Sequence, residues 1–349
     1  MQHKNRNGLN ALDFVVTIVI LLVLAALLLP TIHGHRDAAS RSQCKNNLKQ
    51  IGLGLMFYHD VYRTLSPGFT ASETSSESSG YGWNFYILPF FDQASLFKRF
   101  NSKLTLTDQT FGKYHPASTI LTASRCQSDN GDATVTSRWM PDLGTTNYVG
   151  NFGVGSPATY SVLNGSTRSL VDSRHCQGIL GPNSRVRIRD VKDGMSNVVL
   201  AGERRMSPNA NEWPVGRVEG NFNNYWAGIP NVNAVSPLVV LATSTGGLIE
   251  RTPQEIESNT GELPIKGNIP DIRSPERQKS LPYFGINRDT RGELLGDSKL
   301  VTAGFSSWHF DGAHAVIGDG TVRFLSENID PIILTNLMRR SDGETLGEF

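Results

Sequence analysis

The chain has 349 residues, of which 33 are lysine or arginine and 32 are aspartate or glutamate, giving a formal net charge of +1. Nucleic-acid binding requires a strongly positive surface, and a near-neutral chain without a lysine or arginine block excludes it. The 34 glycines favour short strands, turns and long loops, and the length allows a sizeable core in one large domain or two.

A carboxylate stands at the entrance of an apolar run near the start of the chain. Asp13 precedes uninterrupted apolar sequence over 14–29, which is 16 residues, or about 24 Å of helix. An ionised Asp costs about 2.5–3.5 kcal/mol at the centre of a bilayer, so we expect it to have a partner or a function. With the apolar residues on either side, the run predicts a transmembrane helix over 9–32. A secretory signal peptide is the alternative.

Helical periodicity continues after this segment. The pattern predicts that residues 33–62 form a second, extracytoplasmic half of the same helix, packed on a globular domain over 63–349. Apolar residues recur there at spacings of three and four: Leu48, Ile51, Leu55, Tyr58 and Tyr62.

The globular domain is predicted to contain short strands between long loops. The alternating segment 186–189 indicates a strand or the approach to one, and the apolar segment 198–203 indicates a buried strand. Near the C-terminus, Asp319-Gly320 predicts a hairpin over 313–325 with a two-residue type I′ turn, and Pro331 suits the first turn of a closing helix over 329–339. The expected fold class is α+β, with a long N-terminal transmembrane helix, pilin-like, packed on a largely antiparallel sheet.

Three cysteines are present, at positions 44, 126 and 176. In an oxidising compartment two of them are expected to pair, leaving one free thiol. We expect the bond to join Cys126 to Cys176, because both lie in loop-like sequence, whereas Cys44 lies in the predicted helix.

Two groups of polar residues are candidate metal sites. Asp190, Asp193 and Asn197 offer oxygen ligands for calcium, although the alternating pattern of an EF-hand is missing; no other cofactor is expected. The densest group of ligating residues lies near the C-terminus, where the histidine spacing does not match the helical zinc motif. We interpret this group as structural: His309, Asp311, His314 and Asp319.

Enzymatic activity is not expected, because no Gly-x-Ser-x-Gly elbow and no other nucleophile in an activating setting occurs. Aromatic residues in loops rich in Asn and Gly are candidates for stacking on a glycan, with filling of the core as the competing interpretation. These residues are Trp213, Tyr225, Trp226 and Trp308.

The N-terminal segment resembles the start of type IV prepilins and type II secretion pseudopilins, whose usual pattern is Gly-Phe-Thr-Leu-Ile-Glu before an apolar run. The resemblance implies a leader over 1–8, cleavage after Gly8 by a prepilin peptidase, and N-methylation of the new terminus at Leu9. Asp13 then takes the acidic fifth position. Leu9 and Asp13 depart from the usual Phe and Glu.

A second resemblance covers nearly the whole chain. The segment SQCKNNLKQIGL at 42–53 is similar to a large family of prepilin-like proteins known as DUF1559. Further similar blocks lie at 58–60, 66–68, 83–93, 125–129, 146–150, 190–197, 306–309 and 318–324.

Together the two resemblances imply a structural, non-enzymatic protein that is anchored or assembled through its N-terminal helix in a type II secretion or type IV pilus-like system. Its partners would be the peptidase, other pilin-like subunits, the inner membrane and a glycan or secreted cargo. The body would lie in the periplasm or on the cell surface. The alternative is a membrane-anchored extracytoplasmic solute- or glycan-binding protein.

Overall fold

A computed structural model describes most of the globular body and one long helix. The described residues are 11–70, 79–109, 115–136, 140–153, 176–206, 224–229, 241–243, 286–287 and 304–344.

The chain begins its described part with the helix α1, Ala11–Tyr62, which is 52 residues long. Its C-terminal half packs on the body through the predicted stripe, since Leu48, Ile51 and Leu55 are fully buried. Tyr58 packs against the same core from a partly buried position. Tyr62 is 57% exposed, so the stripe ends one turn earlier than predicted.

The predicted transmembrane span is wrong. None of the helices that the structure describes is both long enough and apolar enough to cross a bilayer. The uninterrupted apolar run has 16 residues, fewer than the roughly 20 that a spanning helix needs. The fold class is therefore corrected: the described residues form a mixed helix-and-sheet fold, and the expected membrane-spanning helix is not found among them.

Nine short strands are described. In chain order they are β1 (Gly80–Tyr81), β2 (Thr134–Val135), β3 (Leu143–Gly144), β4 (Tyr148–Gly153), β5 (Val199–Glu203), β6 (Gly228–Ile229), β7 (Leu241–Thr243), β8 (Gly312–Ile317) and β9 (Val322–Ser326).

Five of these strands form the main sheet, in the order β7-β4-β5-β8-β9. The pairs β4–β5, β5–β8 and β8–β9 are antiparallel, and only the edge strand β7 runs parallel to its neighbour β4. Two smaller antiparallel pairs, β1–β6 and β2–β3, lie outside this sheet. The described sheet is thus largely antiparallel, as expected.

Short helices connect the strands. Among the described residues, the α-helices after α1 are α2 (Trp83–Ile87), α3 (Ala94–Phe97) and α4 (Pro331–Met338), and 3-10 turns lie at Leu88–Phe90, Pro116–Ser118, Thr122–Ser124, Ile188–Asp190 and Met195–Asn197. The strand predicted over 186–189 is wrong. The Asp190 carboxylate accepts a hydrogen bond from the Arg187 backbone N–H at 2.9 Å, which favours a turn at this point.

The main sheet separates two apolar cores. On one face, Val316 of β8 packs in the same cluster as the buried stripe of α1. On the other face, Ala313, Ala315 and Ile317 of β8 pack with Leu337 of α4. This alternation follows from the two-residue period of a strand, and it places the sheet between α1 and α4.

The C-terminal hairpin is present, but its turn is not the predicted type I′. Gly320 has a positive φ of +80°, whereas Asp319 is absent from the residues with positive φ. The Gly320 N–H donates to the Ile317 carbonyl at 2.9 Å, and the Ile317 N–H donates to the Thr321 carbonyl at 2.8 Å. The Asp319 carboxylate accepts from the Thr321 N–H, so Asp319 stabilises the turn through its side chain, and only Gly320 takes the left-handed backbone conformation.

Candidate functional site

A buried group of charged and polar side chains surrounds Glu203, the last residue of β5. Its carboxylate accepts a hydrogen bond from the His314 backbone N–H at 2.7 Å and lies 3.2 Å from His314 Nδ1. His309 Nε2 is 3.5 Å from Glu203 Oε1. The pairing of Gly202 with Ala315 puts Glu203 beside His314 on adjacent strands, so the sheet itself brings the acid and the imidazole together.

The disulfide that the structure contains joins Cys44 to Cys126. The predicted bond between Cys126 and Cys176 is therefore wrong. Cys44 lies four residues before Leu48, on the same buried face of α1, and is itself fully buried. Cys176 is a buried free thiol whose Sγ donates to the Phe152 carbonyl at 3.1 Å.

The disulfide borders the Glu203 group. Cys126 Sγ lies 3.5 Å from His309 Nε2, and the Cys126 N–H donates to Asn147 Oδ1 at 2.9 Å. Burial alone would raise the pKa of Glu203, but its hydrogen bonds with His309 and His314 outweigh that effect, and the net pKa is lowered. Glu203 is therefore a carboxylate at neutral pH.

Two further buried ionisable side chains lie next to this group. Asp129 accepts hydrogen bonds from Asn147 Nδ2 at 2.6 Å and from the Met206 N–H at 2.7 Å, although burial still raises its pKa. Burial lowers the pKa of the Arg204 guanidinium to about 9, so it remains a cation at neutral pH. Arg204 Nε donates to the Gly304 carbonyl at 3.1 Å.

A small pocket, a cavity of about 10 Å³ with room for about one water molecule, lies beside these charges. The Arg205 guanidinium lies 4.6 Å from the centre of the Trp308 ring, in the range of a cation–π contact. The pocket is lined by Cys126, Asp129, Asn147, Glu203, Arg204, Arg205, Ser306, Ser307 and Trp308.

The C-terminal group of candidate ligands is divided in the structure. His309 and His314 converge on Glu203, with their ring centres 5.4 Å apart. Asp319 instead binds Thr321 within the hairpin turn, and Asp311 is an exposed turn residue with φ of 72°. Sequence reasoning missed Glu203, whose only signal was its position at the end of an apolar strand.

The residues proposed for calcium make hydrogen bonds within the chain. The Asp193 carboxylate accepts backbone N–H groups of Asp342 and Gly343, both at 2.8 Å. Asn197 Nδ2 donates to the Asp193 carbonyl at 2.8 Å, and Asp190 accepts from the backbone of the preceding turn. These three residues therefore link the 190–197 segment to itself and to the C-terminal segment.

The four candidate aromatics have different environments. Tyr225 and Trp226 are buried, and Trp226 Nε1 donates to the Thr119 carbonyl at 2.9 Å, so for these two the structure favours the competing interpretation over stacking on a glycan. They fill the core, where their large apolar rings exclude water. Trp308 is 40% exposed, and Trp213 lies outside the described residues.

The predicted processing residues lie at the N-terminal edge of the described part of the chain or before it. Gly8 and Leu9 lie outside the described residues. Asp13 lies within α1, but its side chain is outside the described part.

Comparison with known proteins gives one match. A family described as "Protein of unknown function (DUF1559)" matches residues 34–332. No curated protein and no solved structure matches the chain. Because the family match covers far more than half of its length, the chain belongs to the DUF1559 family.

Proposed function

We propose that this protein is a non-enzymatic, pilin-like structural subunit that assembles with other copies through the N-terminal part of α1. One observation carries the proposal: this part of the helix has large apolar side chains in solvent. From Val19 to Leu24, six consecutive residues are each between 51% and 64% exposed. The other exposed apolar residues of the segment are Leu12, Phe14, Val15, Val16 and Ile18.

Six consecutive residues point in all directions around a helix, because successive side chains are about 100° apart. A helix that is apolar on every side is stable only when other apolar surface covers it. The body does not cover the described apolar residues between Leu12 and Leu24, since they are 44% to 73% exposed. In the described part of α1, contacts with the body begin near Arg41, which donates to the Phe310 carbonyl. Identical helices from neighbouring copies would cover the segment on every side in a helical bundle.

The resemblance to prepilins supplies the order of events in this proposal. A prepilin peptidase cleaves after Gly8, and Asp13 of one copy then pairs with the new amine of Leu9 on its neighbour. Such a pair stabilises a bundle only where hydrogen bonds compensate the loss of hydration. The Cys44–Cys126 disulfide supports an extracytoplasmic body, because disulfides persist in oxidising compartments.

A pair of matched substitutions on α1 tests the assembly. Leu21 is 59% exposed in the apolar segment, and Leu53 is 45% exposed on the part of the same helix that packs on the body. Leu21→Glu would bury a carboxylate inside the bundle, at a cost of several kcal/mol. We expect this variant to form no fibres by electron microscopy and to sediment as single subunits, after co-production with a prepilin peptidase.

Leu53→Glu is the control, because its side chain is exposed beside the body and lies outside the proposed bundle. It should assemble as the unsubstituted protein does. Unimpaired fibres from Leu21→Glu, or equal loss from both variants, would contradict assembly through the N-terminal segment.

A second candidate function is extracytoplasmic binding of a solute or glycan. The observation that favours it is the exposed Trp308 ring beside the charged pocket, because exposed aromatic rings stack on sugars. Asp13→Ala separates the two functions: it should abolish assembly if the first holds, and leave glycan binding unchanged if the second holds. Trp308→Ala should leave assembly unchanged if the first holds, and weaken glycan binding if the second holds.

A further inference from the structure

Four side chains from separate parts of the chain bring metal-ligating atoms together in the interior. One atom each of Cys44, Cys126, Glu203 and His309 lies within 4.8 Å of all the others, and all four residues are buried. We propose that reduction of the Cys44–Cys126 disulfide by a dithiol converts this cluster into a binding site for a zinc-like divalent cation. The disulfide and the metal site are thus alternative states of the same residues.

Two of the distances in the cluster match those of a metal site. Ligand atoms around a tetrahedral zinc ion are about 3.3–3.8 Å apart, given bonds of about 2.3 Å to sulfur and about 2.0–2.2 Å to nitrogen and oxygen. Cys126 Sγ is 3.5 Å from His309 Nε2, and His309 Nε2 is 3.5 Å from Glu203 Oε1. All four ligand atoms lie within 4.8 Å of one another, so closing on an ion requires small shifts of the side chains and separation of the two sulfur atoms, which opening of the disulfide allows.

Hydrogen bonds from surrounding groups hold the ligands in these positions. His314 binds the Glu203 carboxylate through its backbone N–H at 2.7 Å and lies 3.2 Å away through Nδ1. Ser307 Oγ accepts from the His309 N–H at 3.0 Å and donates to the Gly312 carbonyl at 2.6 Å. Partners of this kind orient metal ligands and raise their affinity.

The charge of the occupied site also has compensating neighbours. Two thiolates and one carboxylate carry three negative charges, of which a divalent cation neutralises two. Arg204 and Arg205 line the same pocket as Cys126 and Glu203, so positive charge lies close to the remaining negative charge.

The chemistry balances in two steps. The dithiol transfers two electrons and two protons to the protein disulfide, becomes a cyclic disulfide itself, and leaves Cys44 and Cys126 as thiols. The cation then binds both sulfur atoms as thiolates, and two protons are released to solvent. Metal occupancy therefore reports whether the disulfide is open, and this holds whether or not the chain assembles through α1.

Cobalt(II) is a suitable probe, because tetrahedral coordination by thiolates gives it charge-transfer and d–d absorption bands. The full chain is reduced with dithiothreitol, exchanged without oxygen into buffer free of dithiol, and titrated with Co²⁺. We expect about one ion per reduced chain with the thiolate bands, displacement by Zn²⁺, and no such bands from the oxidised chain. Absence of the bands after reduction, or equal bands before and after it, would overturn the proposal.

Two substitutions identify the ligands. His309→Gln keeps a donor toward Glu203 but removes the imidazole, so cobalt affinity should fall by at least about 100-fold. Cys176→Ala is the control, because this buried thiol is outside the cluster, and its spectrum should be unchanged. Unchanged affinity in His309→Gln, or loss of the thiolate band in Cys176→Ala, would refute the assignment. If a variant does not fold, the cobalt spectra of the reduced and the oxidised unsubstituted chain still test whether reduction creates the metal site.

Discussion

Removal of the Cys44–Cys126 disulfide should be among the most destabilising changes available in this protein. The bond joins residues 82 positions apart. In the chain-entropy treatment, a cross-link that closes a loop of this length stabilises the folded state by about 4.5 kcal/mol, since it restricts the unfolded chain. The double variant Cys44→Ala with Cys126→Ala should therefore lose about 3–5 kcal/mol of unfolding free energy.

Urea denaturation followed by fluorescence, in a chelating buffer, measures this loss directly. The denaturant slope should also rise, because the unfolded chain without the cross-link exposes more surface. Cys176→Ala is the matched control: it keeps the disulfide and should cost only about 1 kcal/mol, which is typical of a single buried substitution. The reasoning is refuted if the double variant loses less than about 1 kcal/mol, or if peptide mapping finds Cys126 bonded to Cys176.

Three other predictions concern the same body. Gly52→Ala would place Cβ 2.6 Å from a methyl of Val316 and should lower the free energy of unfolding by about 1–3 kcal/mol. Gly54→Ala is its control, because the nearest neighbour of the new Cβ is at 3.5 Å, and it should leave thermal stability unchanged or raise it. Equal effects of the two substitutions would contradict the packing of α1 on β8. Because the pKa of Glu203 is lowered from its ordinary value of 4.5, its contribution to stability is complete above that pH and is lost as pH falls through the lower, folded-state pKa. In Glu203→Gln, the free energy of unfolding should therefore fall less steeply as the pH is lowered. An equally steep fall in both proteins would contradict the lowered pKa of Glu203. Burial raises the pKa of Cys176 to about 11, so its thiol is protonated at pH 8. Iodoacetamide at that pH should therefore label Cys176 only after the protein unfolds. Rapid labelling of the folded protein would contradict its burial.

The helix α1 shows which contacts can be predicted from the periodicity of apolar residues alone. Leu48, Ile51 and Leu55 were predicted to face the body, and all three are fully buried. Cys44 belongs to the same stripe, four residues earlier, so the pattern contained the signal for the correct disulfide. Judging the cysteines by loop-like surroundings favoured the wrong pair, because the buried face of a helix also brings a thiol into the interior.

Other features depend on contacts that no local pattern contains. Glu203 and His314 are 111 residues apart in the chain, and they meet because β5 and β8 are neighbours in the sheet. The hairpin turn was located correctly but assigned the wrong geometry, since the Asp319 side chain bonds Thr321 instead of leaving the backbone to adopt two positive φ angles.

Photo-crosslinking from α1 tests the central claim, assembly through its N-terminal part, most directly. Phe14 is 67% exposed in the apolar segment, and Phe57 is 51% exposed on the body half of the same helix. Each is replaced in turn by benzoylphenylalanine, which preserves an aromatic ring at the site, and the assembled protein is irradiated. The account predicts a ladder of crosslinked copies from position 14 and single subunits from position 57. Single subunits from position 14, or the same ladder from both positions, would contradict it.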